Sequence, residues 1–190
     1  MSENLSGGGR FQIGIIALVF FGPLILATWM YSTGRLQPAA RTNHGELLLP
    51  IVALEAFLSD PEDLKDAQRA WRLLYMNMAE CDAVCIEALH RQRQIRLMLG
   101  KEMDRVSRLF LHGSASTDKI SRGDEDAGLI TINNKGLADF LEGKRPSEIP
   151  AGGIFLIDPL DNLIMYFAPD LTPGDITDDL KHLLELSRIG

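Results

Sequence analysis

The sequence predicts an α/β domain preceded by a single N-terminal membrane helix. Three observations carry that reading: a charge-free apolar run at residues 11–31, an alternation of short apolar strands and helical segments after residue 70, and a Cys-x-x-x-Cys pair where the first clear strand passes into a helix.

At 190 residues the chain has room for one ordinary domain and something more. The extra segment is FQIGIIALVFFGPLILATWMY, residues 11–31. As a helix rising about 1.5 Å per residue it covers about 30 Å, the thickness of a bilayer core. Trp29 and Tyr31 fall where aromatic rings favour the membrane–water boundary, and a proline such as Pro23 is tolerated inside a span. The run is longer than the core of a secretory signal, Arg10 is the only basic residue ahead of it, and no small-x-small cleavage pattern follows near residues 36–40. An uncleaved anchor in the lipid bilayer is therefore preferred to a removed signal peptide. Arg10 on one side, with Arg35 and Arg41 on the other, leaves the orientation undecided by charge.

Residues 1–10 read as a short Gly-rich tail, 32–65 as a juxtamembrane linker and lead-in, and 66–190 as the folded domain. The lead-in holds two short apolar runs, 47–49 and 51–57, that could add an edge strand or a short helix. A net charge of −7 argues against nucleic acid as a partner, because phosphate binding needs a basic face.

The domain proper opens with WRLLYM (71–76), a short apolar run rich in aromatic and branched residues that suits a buried strand. A helix follows with Asp82 in its first turn, where a carboxylate suits the positive end of the dipole. It runs through Val84, Ile86, Leu89, Ile95 and Met98 to about Gly100, with Arg91, Arg93 and Arg96 on a charged face. VSRLFL (106–111) is the next strand, so strand, helix and strand make a right-handed crossover with a parallel pair. Residues 113–126 are polar and read as a surface loop; 129–132 suit a strand and 135–141 a short helix. IFLID (154–158) and LIMYF (163–167) flank a turn and form a hairpin. A last helix has Thr172 as cap, Pro173 at its first position and Asp175 three past the cap, with Ile176, Leu180, Leu183, Leu184 and Leu186 as its apolar stripe. This order is the thioredoxin layout, with the cysteines on the helix after a central strand.

Cys81 and Cys85 are the two cysteines of the chain. Four residues is about 1.1 helical turns, which puts both sulfurs on one face at the helix N-terminus. Two such thiolates can share a soft metal or cycle between dithiol and disulfide. The plainer alternatives are a structural disulfide or two inert thiols. A helix N-terminus stabilises a thiolate, whereas the flanking Glu80 and Asp82 oppose it.

These residues bring a family into view. The domain resembles the Sco (SenC) family, membrane-anchored thioredoxin-fold proteins that help assemble the copper centre of cytochrome c oxidase. The resemblance rests on NHGELLLP (43–50) after the anchor, WRLLYMNMAECDAVC running into the cysteine pair, DRVSRLFL, and the hairpin GGIFLIDPLDNLIMYF. It implies an inner-membrane protein with its C-terminal domain on the periplasmic side, oxidase subunits or other assembly factors as partners, and copper as a possible ligand of Cys81 and Cys85. The function it implies is Cu(I) handling or thiol maintenance. A scaffold that has lost its metal, and a general membrane-tethered thiol–disulfide oxidoreductase, remain as alternatives. Whether the chain is an enzyme stays open, and no cofactor other than copper is expected.

The sequence departs from the family in its ligands. Asp82 and Ile86 follow the cysteines where the family has prolines, Pro150 stands at the position of the family's copper-binding histidine, and no histidine lies between His112 and His182. His112, closing the strand VSRLFLH, is the candidate replacement ligand, although a surface histidine at a strand end is the commoner situation. Met76 and Met78 carry thioethers that suit Cu(I), but core packing is their expected role. His90, about 140° round the helix from Cys85, points away from the sulfurs, and His44 and His182 have no partner in sequence. The Ile149–Pro150 bond is open to a cis conformation or to an ordinary trans loop. Arg91, Arg93, Arg96, Lys101, Arg105 and Arg108 are expected to form a solvated surface, with lipid headgroups or an anionic partner as the sharper reading.

Overall fold

The computed structural model describes residues 8–33, 43–54, 57, 69–113 and 128–187. The chain forms two compact units, residues 1–42 and 43–190.

The first unit contains α1, Gly8–Thr33, which holds Pro23 and is almost wholly apolar after Gln12. Its stretch Gln12–Met30 is long and apolar enough to cross a membrane. Two hydroxyls pair with the helix's own backbone: Thr28 Oγ1 donates to the carbonyls of Leu24 and Ile25, and Ser32 Oγ to that of Trp29. A helix in hydrocarbon needs this internal pairing, since no water is present to substitute.

The second unit is built on a six-stranded sheet. Its strands are β1 (Glu46–Ala53), β2 (Trp71–Asn77), β3 (Val106–His112), β4 (Leu129–Ile132), β5 (Ile154–Ile157) and β6 (Asn162–Phe167). The spatial order is β1-β6-β5-β2-β3-β4. β2, β3 and β4 run parallel, while β5 lies antiparallel to β2, β6 to β5, and β1 to β6. The helices are α2 (Ala83–Met98), α3 (Lys135–Lys144) and α4 (Pro173–Leu186), with a short 3-10 turn at Gly100–Arg105. β1 realises the edge-strand option for the lead-in. The 114–126 part of the expected loop, residues 34–42, 55–56 and 58–65 of the linker, and residues 66–68 of the expected domain lie outside the described residues.

Both faces of the sheet are covered, which is why β2 reads as a continuous apolar run. Alternation sends Leu74, Leu109 and Phe155 to one face, and the irregularity in the β5–β6 register turns Leu163 to it as well, where Leu137 and Leu141 of α3 meet them. Leu73, Leu156, Met165 and Phe167 go to the other, beneath Ile95 of α2 and Leu180 of α4.

Several expectations are corrected by packing. Leu186 lies outside the α4 stripe, 72% exposed, and Leu183 is only partly covered; Ile176, Leu180 and Leu184 are the buried positions. The basic residues of α2 and its exit are mostly structural. Arg91 donates to the Pro169 carbonyl, and Arg96 Nε to Val106 O at 2.7 Å. Arg105 binds the carbonyls of Leu184 and Ser187 at 3.0 and 2.8 Å, which ties down the C-terminal end of α4. Arg108 is buried, not solvated. Ile149–Pro150 is trans; the cis bond among the described residues is Leu49–Pro50.

The entry into the domain is fastened to α4. The buried Asp179 carboxylate accepts from the His44 and Gly45 amides, each at 2.8 Å, and from His44 Nδ1 at 3.0 Å. Only glycine fits at position 45, since a Cβ there would stand 2.5 Å from Met165 Sδ. The start of α4 is closed by the expected capping box: Asp175 N donates to Thr172 Oγ1 at 3.2 Å, and the Asp175 carboxylate accepts from the Thr172 amide at 3.1 Å.

Two outcomes follow. Thr172→Ala should lower unfolding free energy by about 1 kcal/mol in denaturant titrations, with the m-value unchanged. His44 is held above its ordinary pKa, chiefly by its hydrogen bond to Asp179 and further by the charges of Asp179, Asp175 and Asp178. A raised histidine stabilises fully below its unfolded value of 6.5 and loses that contribution as pH climbs through the raised folded value. The stability gap between wild type and His44→Gln should therefore narrow as pH climbs above 6.5, and a gap that widens would contradict this sign.

Candidate functional site: the Cys81–Cys85 disulfide

β2 delivers the chain to the C-terminal edge of the sheet, and residues 78–82 turn it into α2. The helix begins after Asp82, which is the N-cap: its extended backbone ends the turn and its Oδ1 accepts from Cys85 N at 3.0 Å. Asp82 thus precedes the first helical turn expected to contain it. Cys85 lies in that turn, whereas Cys81 lies ahead of the cap, so the two sulfurs are not on one helical face. They are nevertheless brought together. Cys81 and Cys85 form a disulfide with Cα atoms 5.2 Å apart, within the usual range.

The two ends of this bond differ in environment. Cys85 has 0% exposure and packs with Tyr75, Ala88, Leu89 and Phe110; Cys81 is half-buried at the margin of that cluster and reaches solvent. The Tyr75 and Phe110 rings stack at 5.9 Å and floor the site. Burial pushes the Tyr75 hydroxyl above its ordinary pKa, the Asp82 charge adds to this, and Arg91 opposes it. The phenol therefore stays neutral beneath the disulfide.

Loops from other strands border the same edge. Tyr75 pairs with Ile154 at the start of β5, which places residues 150–153 beside the end of β2. Tyr166 fixes that segment: its hydroxyl donates to Pro150 O at 2.8 Å and accepts from Gly153 N at 2.9 Å. Sequence reading missed this tie, because a tyrosine in an apolar strand looks like core. Asn77 pairs with His112 across β2 and β3, so His112 does reach the expected edge. Its ring stacks on Phe110 at 5.6 Å, on the side of the sheet that carries Cys85.

Among the described residues, no three His, Cys, Asp or Glu side chains gather into a group able to hold a metal. His112 is near the pair in topology but does not complete such a group. Met76 packs against the core as expected, while Met78, past the end of β2, is 38% exposed with its methyl against Gly113. His90 and His182 are exposed, and His44 serves Asp179. Val84 and Ile86, read from sequence as part of an apolar helix face, are 69% and 57% exposed because Cys85 takes the inward direction between them.

Sheet order, helix placement and the disulfide at the head of α2 define an α/β protein of thioredoxin fold. The chain belongs to the family described as transmembrane-like, thioredoxin-like, C-terminal domain, whose model matches residues 71–187. The fold is also that of solved Sco proteins, as the residues suggested. Apo Sco1 from Thermus thermophilus aligns with a TM-score of 0.50 at 18% identity, covering 78% of this chain and 98% of that one. Yeast Sco1 with copper bound gives a TM-score of 0.50 at 12% identity, covering 63% and 81%. ScoI from Bradyrhizobium japonicum with copper bound gives 0.46 at 20% identity, covering 62% and 88%. Comparison with curated proteins gave no match. One N-terminal apolar helix and a transmembrane-like family domain are in keeping with a single-pass membrane protein.

The cap carboxylate is a fixed negative charge beside the pair. Asp82→Asn keeps the cap acceptor and removes the charge, so the reduced thiolate form should gain stability. The Cys81–Cys85 potential should rise by about 10–20 mV in a glutathione-buffered titration, and a fall would contradict this electrostatic account.

Proposed function

We propose that this chain is a membrane-anchored thiol–disulfide exchange protein that works through Cys81 and Cys85 on the periplasmic side of an inner membrane, in cytochrome c oxidase assembly. One observation carries the chemistry: a disulfide at the head of a helix with one sulfur reachable and the other buried. The setting is carried by the apolar helix and by the likeness to Sco proteins in sequence pattern and fold.

The exposure difference assigns the roles. A thiolate of a partner dithiol attacks Cys81 Sγ, the S–S bond breaks, and Cys85 leaves as the thiolate at the start of α2, where the helix dipole favours the anion. The partner's second thiolate then attacks the partner sulfur of the mixed disulfide and releases Cys81. Two electrons pass from the partner to this pair, the partner leaves as a disulfide, and the two thiolates left on Cys81 and Cys85 take up, according to pH, the protons that the partner's thiols gave up. In the reverse direction the reduced pair maintains thiols in the partner, with Cys81 as attacking nucleophile and Cys85 as the resolving group.

A second reading is favoured by the copper carried by yeast Sco1 of similar fold. Once reduced, Cys81 and Cys85 offer two soft thiolates, a donor set that Cu(I) accepts without a third ligand. Copper here would be cargo, and the oxidised pair has no free thiolate to hold it. Among the described residues no group of three His, Cys, Asp or Glu side chains gathers, so this reading rests on the two sulfurs.

Trapping separates the roles of the sulfurs. Cys85→Ser should form a stable mixed disulfide with a small aromatic disulfide at Cys81, seen as a mass increase, whereas Cys81→Ser should react at least about tenfold more slowly because its thiol is buried. Equal reactivity would overturn the assignment. In a competition titration with a Cu(I) chelator, retention of one Cu(I) by the reduced wild type, lost in Cys81→Ser, would establish the cargo reading. No retention would leave thiol exchange alone.

A further inference from the structure

We propose that the mouth of the Cys81–Cys85 site selects its exchange partner by charge, taking a protein segment whose cysteine is flanked by basic and apolar residues. The inference rests on the thiol-exchange reading and adds the chemistry of the partner.

The surface around Cys81 has an apolar centre. Val84 and Ile86, on either side of the inward-pointing Cys85, are 69% and 57% exposed, and Met78 is 38% exposed just before Cys81. Large aliphatic side chains in the first turn of a helix would ordinarily face a core or be replaced by polar residues. Here the inward position is taken by Cys85, so these side chains are left exposed within five residues of the reachable sulfur.

The rim is acidic. Glu80, Asp82 and Glu87 are exposed around that centre, and Asp170 is exposed after the end of β6, which reaches the same edge of the sheet because β6 runs parallel to β2. Among the described residues, positive charge nearby is either committed or distant. Arg91 is half-buried and donates to the Pro169 carbonyl, while Lys135 stands beyond the outer strand β4 at the start of α3. His90 is exposed further along α2. Among the described residues, the groups closest in sequence to Cys81 are therefore carboxylates with apolar side chains between them. Such a surface attracts a cationic segment, repels an anionic one, and expresses the difference mainly in association rate.

The test uses the full-length protein in a non-ionic detergent and two reduced peptides. Each carries one cysteine between two leucines, flanked by arginines in one and by glutamates in the other. Second-order rates for opening the Cys81–Cys85 disulfide are divided by each peptide's rate with hydroxyethyl disulfide, which removes the effect of the flanking charges on the peptide thiol itself. The arginine peptide should react about tenfold faster after this correction, and the ratio should fall toward one at about 0.5 M salt. Glu87→Lys should narrow the ratio at low salt, and Val84→Ser with Ile86→Ser should slow both peptides relative to dithiothreitol acting on the same variant. A corrected ratio near one at low salt, with dithiothreitol still opening the disulfide, would overturn charge selection and leave the exchange function standing. A disulfide that dithiothreitol cannot open in the folded protein would remove both.

Discussion

The constraint on which this structure turns is the hydrogen bond from the Cys85 amide to the Asp82 carboxylate at 3.0 Å. It sets the first residue of α2, and that choice directs Cys85 down among Tyr75, Leu89 and Phe110 and leaves Cys81 outside the helix. A helix begun one residue earlier would rotate every following side chain by about 100° and would bring Val84 toward the sheet in place of Cys85. The cap therefore decides which sulfur meets solvent. It does so while holding a negative charge beside the pair, which works against the dipole that the same helix supplies.

The surroundings are stiff where the site needs support. Gln92, fully buried, donates to the carbonyls of Leu73 and Leu109 at 2.6 and 3.1 Å and so ties α2 to both parallel strands beneath it. Tyr166 holds the 150–153 segment at the other side of the opening. Arg72, almost fully buried, clasps the Asp158 carbonyl at 3.0 Å and the Asp161 carboxylate, which closes the hairpin turn at the opposite end of the sheet. The sulfur pair thus sits on a scaffold whose polar groups are spent on backbone carbonyls, with the reactive atoms at its rim.

Much of this was legible in the residues. β2 and β3 could be read because strands buried on both faces are continuous apolar runs, and α4 because Thr172, Pro173 and Asp175 form a local signal that needs no tertiary context. The cysteine pair was legible as a site because it follows a strand and opens a helix. What failed to show depends on partners distant in sequence. The arginines of α2 and its exit looked like a solvated face, yet Arg91 and Arg105 find carbonyls about 80 residues away that no local pattern reveals. His44 gave no hint of Asp179, 135 residues on. Val84 and Ile86 read as core because periodicity cannot tell that the inward slot between them belongs to a half-cystine.

The central claim is that Cys81 and Cys85 form a reversible couple within the folded domain. Its most direct measurement is a glutathione redox titration of the full-length protein in non-ionic detergent, with the thiols counted by alkylation and mass spectrometry. The account predicts that both cysteines convert together as one two-electron couple, following a slope of about 30 mV per decade, while the domain stays protease-resistant. A disulfide that remains closed at every poise until the domain unfolds would contradict it.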